Sequence, residues 1–188
     1  EPAFITKGYT GTIVVTFDPT LGNGGMATAT TCYAHTGIIT SASATTSDWK
    51  FVTDEWRGGA AKNKMTKVGN KWQLTISNIY SFYGCPTTTD IQKMAFVFND
   101  GPAGTKEGKS ADGGDMFIDL YAAGLNAKFS APEGNQLIQA GATVNFSATV
   151  SISAAMELKI NGTSKKTATG TTLTYSQAFA STGDYECI

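Results

Sequence analysis

The sequence lacks a strong charge of either sign. Its 188 residues carry 14 Lys and Arg against 15 Asp and Glu, which gives a formal net charge of -1 at pH 7. A protein that binds DNA or RNA needs a basic surface that neutralises several phosphates. The charge balance therefore argues against nucleic acid as a partner.

Long apolar runs are also missing. No stretch approaches the roughly 20 residues of a membrane-spanning helix. No segment has a long apolar stripe of helical period, and residues 78–82 are expected to form at most a turn. The 21 Gly and the low charged fraction of 15% accompany many Ser and Thr, a composition typical of extracellular β-structure. We therefore expect an all-β protein without a membrane span, secreted or displayed on a cell surface.

Metal-binding residue types are few. The three cysteines, Cys32, Cys85 and Cys187, are odd in number and widely spaced, which suits neither a disulfide framework nor a CxxC metal clip. We expect free, mostly buried thiols, with a Cys32–Cys85 disulfide as the alternative. The single histidine has no second His beside it to bind zinc. The acidic segment 99–119 could offer oxygen ligands to calcium, but it lacks EF-hand spacing, and we favour a solvated loop without a cofactor.

Strand patterns dominate the first 121 residues. Short segments rich in β-branched or aromatic residues are separated by Gly, Pro, Asn and Asp, which predicts a β-sandwich over residues 1–121. Trp72, Phe96 and Phe98 alternate with other residues on their strands and are expected in the core. The predicted strands are Gly11 to Phe17, Thr28 to His35, Lys71 to Ser77, Met94 to Asn99 and Met116 to Tyr121.

Residues 122–188 contain no Trp and predict a second β-sandwich domain. Asn161-Gly162 marks a two-residue hairpin turn. The segment from Gly183 to Cys187 resembles strand F of an immunoglobulin-like domain, in which a Tyr two residues before a Cys ties down the corner. The predicted strands are Leu125 to Phe129, Ala142 to Val150, Met156 to Ile160, Thr171 to Tyr175 and Asp184 to Ile188.

The second domain is short for this fold, which needs about 100 residues and seven strands. Residues 122–188 end at the strand that strand G should follow. A strand F without its neighbour would leave a backbone edge open to aggregation. We therefore expect an immunoglobulin-like sandwich that lacks its last strand, in an N-terminal fragment of a polypeptide that continues beyond Ile188.

All 3 tryptophans and the only histidine lie between Tyr33 and Gly101. Sugar rings present apolar C–H faces against which an aromatic ring can lie, while polar groups at the rim bind the hydroxyls. Trp49 and Trp56 each follow an acidic residue in an irregular stretch, where we expect them exposed and coplanar. Tyr33 and His35 share one face of their strand. This set predicts a neutral, hydroxyl-rich ligand.

Catalytic patterns are not found in the sequence. Glycoside hydrolysis requires two carboxylates that face each other across a cleft, and Asp48, Asp54 and Glu55 are candidates only by being acidic and near Trp. Neither G-x-S-x-G nor H-E-x-x-H occurs. The chain is therefore not expected to be an enzyme.

The motifs Tyr33-Ala34-His35, Asp48-Trp49-Lys50, Lys64-Met65 and Phe98-Asn99-Asp100-Gly101 resemble starch-binding modules of families 25 and 26, which are attached to bacterial α-amylases. The resemblance covers residues 9–121. With the immunoglobulin-like unit that follows, the chain looks most like the N-terminal modules of α-amylase-family glycoside hydrolases from Bacteroides-type bacteria.

The resemblance implies binding of an α-glucan polysaccharide or maltooligosaccharide, next to a downstream catalytic domain of the same chain. Two departures from the family pattern are present: the Pro-Gly before the Met is absent, and no Trp follows Asn-Asp-Gly in residues 102–114. The implied residues that stack on the sugar are Tyr33, Trp49 and Trp56. The implied residues that bind its hydroxyls are His35, Lys64, Asn99 and Asp100.

Two other functions stay open. Both domains could be purely structural spacers that position a catalytic barrel, with the Trp residues in the core or between domains. The chain could also be a fragment of an adhesin that binds host protein through an exposed apolar patch.

Overall fold

The computed structural model describes residues 2–132 and 134–188, and it is nearly all β, which confirms the predicted fold class. The chain divides into two compact units, Glu1–Ala122 and Ala123–Ile188, one residue from the expected division after residue 121. Within the described residues, no helix is both long and apolar enough to cross a membrane.

The described residues of unit 1, 2–122, form eight strands. They are β1 (Ile5–Thr6), β2 (Ile13–Phe17), β3 (Tyr33–Thr40), β4 (Thr66–Val68), β5 (Lys71–Ile76), β6 (Ile91–Asn99), β7 (Glu107–Gly108) and β8 (Met116–Tyr121). One sheet has the order β1-β8-β6-β3, with β7 also paired to β6, and the other has the order β2-β5-β4. In the larger sheet, the pairing partner of β3 is β6.

The core of unit 1 lies between these two sheets. Alternate residues of β2, β5 and β6 point into it, as the period of two in a strand requires. The stacked rings of Phe17 and Phe98, with centroids 4.0 Å apart, join the smaller sheet to the larger one. Trp72, Phe96 and Phe98 are each at most 4% exposed, so their predicted core positions are confirmed.

The strand predicted over Thr28 to His35 is shifted in the structure. β3 begins at Tyr33 and runs on to Thr40, through a Thr36-Gly37 pair that the sequence suggested as a strand end. A Cβ at Gly37 would lie 3.1 Å from both the Lys50 carbonyl oxygen and a Val52 methyl carbon. The glycine therefore allows a neighbouring segment to pack closely on the strand.

The expectation of at most a turn over residues 78–82 is wrong, because a short helix, α1 (Ile79–Tyr83), forms there. The side chain of Asn78 accepts hydrogen bonds from the backbone N–H groups of Tyr80 and Ser81, which caps the first turn. Gly84 ends the helix with φ +70°, in the left-handed region. Buried Ile79, Tyr80 and Tyr83 hold it on the core.

Unit 2 contains β9 (Ala127–Ala131), β10 (Thr143–Ile160) and β11 (Thr163–Ala178), which form one antiparallel sheet in the order β11-β10-β9. Asn161 and Gly162 join β10 to β11 with φ +49° and +74°, so the predicted hairpin turn is confirmed. A small core lies on this sheet and contains Phe146, Leu158, Ile160, Leu173 and Phe179.

Unit 2 differs from the predicted immunoglobulin-like pattern. Residues 123–132 and 134–188 form one three-stranded sheet, whereas a sandwich would have two facing sheets. The strands expected over 142–150 and 156–160 are one strand, β10, with a register shift between Thr149 and Ala154.

The segment expected as strand F, residues 184–188, is not a regular strand. It meets the end of β10 through an isolated bridge between Ile160 and Cys187 and through two backbone hydrogen bonds between Lys159 and Ile188. Asn161 explains its position, because its side chain and its backbone N–H both bond to the backbone of Glu186. The Tyr185 hydroxyl still donates to the Ser181 carbonyl, 3.2 Å away and four residues upstream, as in a tyrosine corner.

All three cysteines lie in the described residues and are free thiols, as predicted, so the alternative Cys32–Cys85 disulfide is wrong. Cys32 and Cys85 are buried, and Cys187 is half-buried. Burial, with the nearby Asp100 carboxylate, raises the pKa of Cys32 to about 12, so this thiol stays protonated and unreactive at neutral pH.

Candidate functional site

The loop between β3 and β4, residues 41–65, returns along an edge of β3. Lys50 exchanges both backbone hydrogen bonds with Ile38, at 2.8 and 2.9 Å. Further along, the Thr53 N–H donates to the Thr36 carbonyl, and the Met65 N–H donates to the Cys32 carbonyl. The loop therefore covers this edge and carries Trp49, Trp56 and Lys64 to it. We call residues 49–57 the aromatic segment.

The outer face of β3 presents two predicted site residues. Ala34 and Ile38 point into the core, so Tyr33 and His35 lie on the opposite face. The imidazole of His35 stacks with the indole of Trp49 at 5.6 Å between centroids and 29° between planes. It also meets the indole of Trp56 edge to face, at 5.1 Å and 90°. The rings of His35, Trp49 and Trp56 are therefore in contact, and we call these three residues the aromatic cluster.

The two indoles are not coplanar, which corrects that expectation. The indole plane of Trp49 is inclined by 29° to the imidazole plane, and that of Trp56 by 90°. The two indole planes are therefore inclined to each other by at least 90° less 29°, about 60°. Trp49 is half-buried, and its indole N–H donates to the Thr46 carbonyl. Trp56 is 45% exposed. Only Trp56 therefore offers a broad open ring surface.

The turn that carries Trp56 is closed by Asp54. One carboxylate oxygen accepts from the N–H of Glu55, and the other accepts from the N–H of Ala60 at 2.6 Å. A Cβ at Gly58 would come within 2.4 Å of the Asp54 carboxylate, so the turn needs glycine there. These contacts fix the backbone on both sides of Trp56.

Arg57 connects Trp56 to the rest of the site. Its guanidinium lies over the indole of Trp56 at 5.3 Å, an arrangement that favours a cation–π interaction. It also donates to the Asp100 carboxylate and to the Lys106 carbonyl, both at 2.9 Å. The side chains of Arg57 and Asp100 are only 18% and 13% exposed, so this ion pair is shielded from water. Sequence reasoning missed Arg57, although it is the only arginine of the chain and follows Trp56 directly.

Asn99 and Asp100 support the site from inside the protein. Asn99 is 2% exposed, and its side-chain oxygen accepts from the Gly101 N–H. Burial by itself raises the pKa of Asp100, but hydrogen bonds from Arg57 and from the Lys106 N–H outweigh it and hold that pKa below its usual value. The Oδ1 atom of each side chain therefore accepts from protein donors.

Tyr33 and Lys64 lie together at one end of the aromatic cluster. They form an isolated bridge, and the Lys64 ammonium lies 6.0 Å from the centre of the Tyr33 ring. A Cβ at Gly101 would be 2.9 Å from a ring carbon of Tyr33. The ring therefore packs closely on the Gly101 backbone and is half-buried.

His35 has one polar atom without a partner. Its Nδ1 is buried and makes no hydrogen bond in the structure. Burial of the imidazole lowers its pKa, and the carboxylates of Asp54 and Asp115 oppose this only in part. The ring is therefore neutral at pH 7 and adds no charge to the site.

The carboxylates of segment 99–119 have separate partners. Asp112 accepts from the Ser110 hydroxyl and the Gly114 N–H, Asp119 pairs with Lys93, and Asp100 pairs with Arg57. In the part of the chain that the structure describes, no group of three or more His, Cys, Asp or Glu side chains is placed to hold a metal ion.

Comparison with protein-family models, with curated proteins and with solved structures finds no match for this chain.

Proposed function

We propose that unit 1 is a non-catalytic α-glucan-binding module and that unit 2 is a spacer, both at the N-terminal side of a secreted or surface-exposed bacterial enzyme that degrades starch. The observation that carries the proposal is the exposed indole of Trp56, held against His35 on the outer face of a sheet. Unit 1 would tether the enzyme to polysaccharide.

The chemistry of this face suits a sugar. The open indole of Trp56 can lie against the C–H face of a pyranose ring. His35 and Lys64 stand on the same side of the site as hydroxyl partners, and Trp49 and Tyr33 supply further aromatic surface. Asn99 and Asp100 have a supporting role in this proposal, because their polar atoms already bind Gly101 and Arg57.

The expected affinity is low. If the exposed indole of Trp56 loses about 100 Å² of surface to the sugar, the gain is about 2.5 kcal/mol at ~25 cal/mol per Å². Hydrogen bonds to hydroxyls add roughly 1 kcal/mol each, and association itself is costly. The net gain therefore does not exceed the roughly 4.1 kcal/mol of a 1 mM complex, and we expect a dissociation constant of about 1 mM or weaker. Such an affinity is sufficient for a tether that acts together with a second binding site.

The carboxylates near the site favour binding over hydrolysis. A glycosidase needs one carboxylic acid with a raised pKa as proton donor. A hydrogen bond from Lys50 lowers the pKa of Asp48, and hydrogen bonds from Arg57 and Lys106 hold the pKa of Asp100 below its usual value. Neither carboxyl group has the property of a general acid.

Affinity electrophoresis in gels that contain amylopectin tests the proposal. We expect the wild-type protein to be retarded and Trp56→Ala to migrate as in a gel without polysaccharide. Val68→Ala is the matched control, because Val68 is 49% exposed but lies on β4 of the other sheet. Unchanged mobility of the wild type in amylopectin would remove the support for sugar binding.

A protein partner is the second candidate function. Phe51, Val52 and Trp56 are each more than 40% exposed within the aromatic segment, and exposed apolar surface of this kind also marks protein-binding sites. This alternative predicts that maltooligosaccharide leaves tryptophan fluorescence unchanged. The sugar-binding proposal predicts a change, because Trp56 would pass from water to the face of a sugar.

A further inference from the structure

Unit 1 has a groove beside Lys50 and Phe51 of the aromatic segment. Its volume is about 500 Å³, within the range of small-ligand sites. The lining combines exposed apolar rings with hydroxyl groups and includes Thr40, Ser41, Lys50, Phe51, Pro86 and Asp90. None of these residues belongs to the cluster around His35.

The backbone of the aromatic segment places Phe51 in this groove. Lys50 pairs with Ile38, and Thr53 bonds to Thr36. Between these two contacts the loop has two residues, whereas β3 has only one. An extra residue of this kind is a β-bulge, which redirects a side chain. Phe51 has φ +50°, an unfavourable conformation for a residue with a side chain, and it is 41% exposed. Strained backbone of this type is concentrated at functional sites.

The charges of the groove favour a neutral ligand. Lys50 is paired with Asp48 at 2.7 Å, and Asp90 is paired with Lys7 at 2.7 Å. One cation and one anion, each already neutralised by a neighbour, provide no net field for an ionic ligand. An apolar ring beside hydroxyl and amine groups instead matches a sugar, which has C–H faces and hydroxyl rims.

The groove and the aromatic cluster share one loop segment. Phe51 of the groove is two residues from Trp49, whose indole stacks on His35. Residues 49–57 therefore contribute one ring to the groove and two indoles to the cluster. A glucan that extends from the cluster along this segment would meet Phe51.

We infer that the groove beside Phe51 is a second sugar-binding subsite, which gives unit 1 a preference for longer α-glucan chains. This inference rests on the proposed function at Trp56. A short oligosaccharide occupies the Trp56 cluster alone, whereas a longer one also stacks on Phe51 and bonds to the groove hydroxyls.

Isothermal titration with maltotriose and maltoheptaose tests this inference. Two variants alter the groove: Phe51→Ala removes the stacking ring, and Ser41→Arg fills the groove from an exposed position. We expect each to weaken maltoheptaose binding about tenfold, which corresponds to about 55 Å² of lost apolar contact at ~25 cal/mol per Å², and to leave maltotriose binding within about twofold. Trp56→Ala should weaken both ligands, and Val68→Ala should weaken neither.

The outcomes separate the two proposals. The second subsite alone would be overturned by two results together. Maltotriose binding would depend on Trp56, and neither groove variant would change the ratio of maltoheptaose affinity to maltotriose affinity. A wild-type protein that binds neither oligosaccharide would overturn both the proposed function and this inference.

Discussion

The imidazole of His35 meets the indole of Trp56 edge to face, with ring centroids 5.1 Å apart and planes at 90°. The same imidazole stacks with Trp49, so one ring on β3 positions two residues of a loop. The edge of one aromatic ring against the face of another is a favourable electrostatic arrangement, and it orients Trp56 before any ligand arrives. An ordered indole loses less entropy on binding than a free one.

The first prediction concerns the titration of His35. Because burial between the indoles lowers its pKa, its folded-state value should lie below about 6.5, the value of an unperturbed imidazole. The chain has one histidine, so its Hε1 proton gives a single, unambiguous signal in an NMR titration. A titration midpoint at or above pH 6.5 would contradict this account.

The same shift has a consequence for stability. The unfolded chain takes up the proton at a higher pH than the folded one, so this contribution to stability is present above about pH 6.5 and is lost as the pH falls below it. We expect His35→Phe, which keeps an aromatic ring but cannot titrate, to lose less stability than the wild type between pH 7 and pH 5. Parallel urea titrations at the two pH values measure this difference.

The second prediction separates two tryptophans by their stability effects. Trp72 is 4% exposed in the core, so Trp72→Ala should lower the free energy of unfolding by about 3–5 kcal/mol. Trp56 is 45% exposed, and Trp56→Ala should cost about 1 kcal/mol or less. All 3 tryptophans lie in unit 1, so tryptophan fluorescence during urea denaturation reports the unfolding of this unit. Equal losses for the two variants would contradict the exposed position of Trp56.

The third prediction concerns the ion pair between Arg57 and Asp100. Because both side chains are shielded from water, Arg57→Ala should destabilise unit 1 by about 1–3 kcal/mol by leaving Asp100 without its charged partner. A double-mutant cycle with Asp100→Asn, read by fluorescence in urea, should give a positive coupling energy. Additive effects of the two substitutions would show that the pair contributes nothing.

The pair should also give a pH dependence of known sign. The pKa of Asp100 is held below its usual value in the folded protein, so its contribution to stability is present above about pH 3.9 and is lost as the pH falls through the folded value. The difference in stability between the wild type and Asp100→Asn should therefore shrink under acid conditions. A difference that stays constant between pH 7 and pH 3 would contradict this.

The fourth prediction concerns the hairpin turn of unit 2. Asn161 tolerates φ +49°, and its side chain accepts from the Glu186 N–H at 2.8 Å. Asn161→Gly keeps the turn but removes this hydrogen bond, whereas Asn161→Ala also strains the turn. We expect losses of about 1 kcal/mol for Gly and about 2 kcal/mol for Ala. Faster amide hydrogen exchange at Glu186 in both variants, with faster exchange along β10 and β11 only in Asn161→Ala, would verify this order.

Several features followed from local sequence. The alternation of apolar residues around Trp72 and around Phe96 and Phe98 determined which face of each strand is buried, because side chains in a strand point to opposite sides in turn. The Asn161-Gly162 pair determined a hairpin turn, because few other residues adopt positive φ at both positions. Both features depend on neighbours in the chain, and a single sequence contains that information.

Other features depended on contacts between distant residues. Gly37 looked like the end of a strand, yet the strand continues because Lys50 and Val52 pack on that glycine. The segment 184–188 looked like strand F, yet Asn161 binds it at the hairpin turn. In each case a tertiary contact outweighs a local preference that is worth only about 1 kcal/mol.

The sequence by itself determined an all-β chain with Trp72 in a core and with His35, Trp49 and Trp56 as candidates for one site. Only the tertiary structure decided that the loop returns along β3, that the two indoles are inclined to each other, and that Arg57 fixes the more exposed one through Asp100. The physical reason is that strand and turn preferences act between neighbours in the chain, whereas ring orientations and ion pairs depend on residues that only folding brings together.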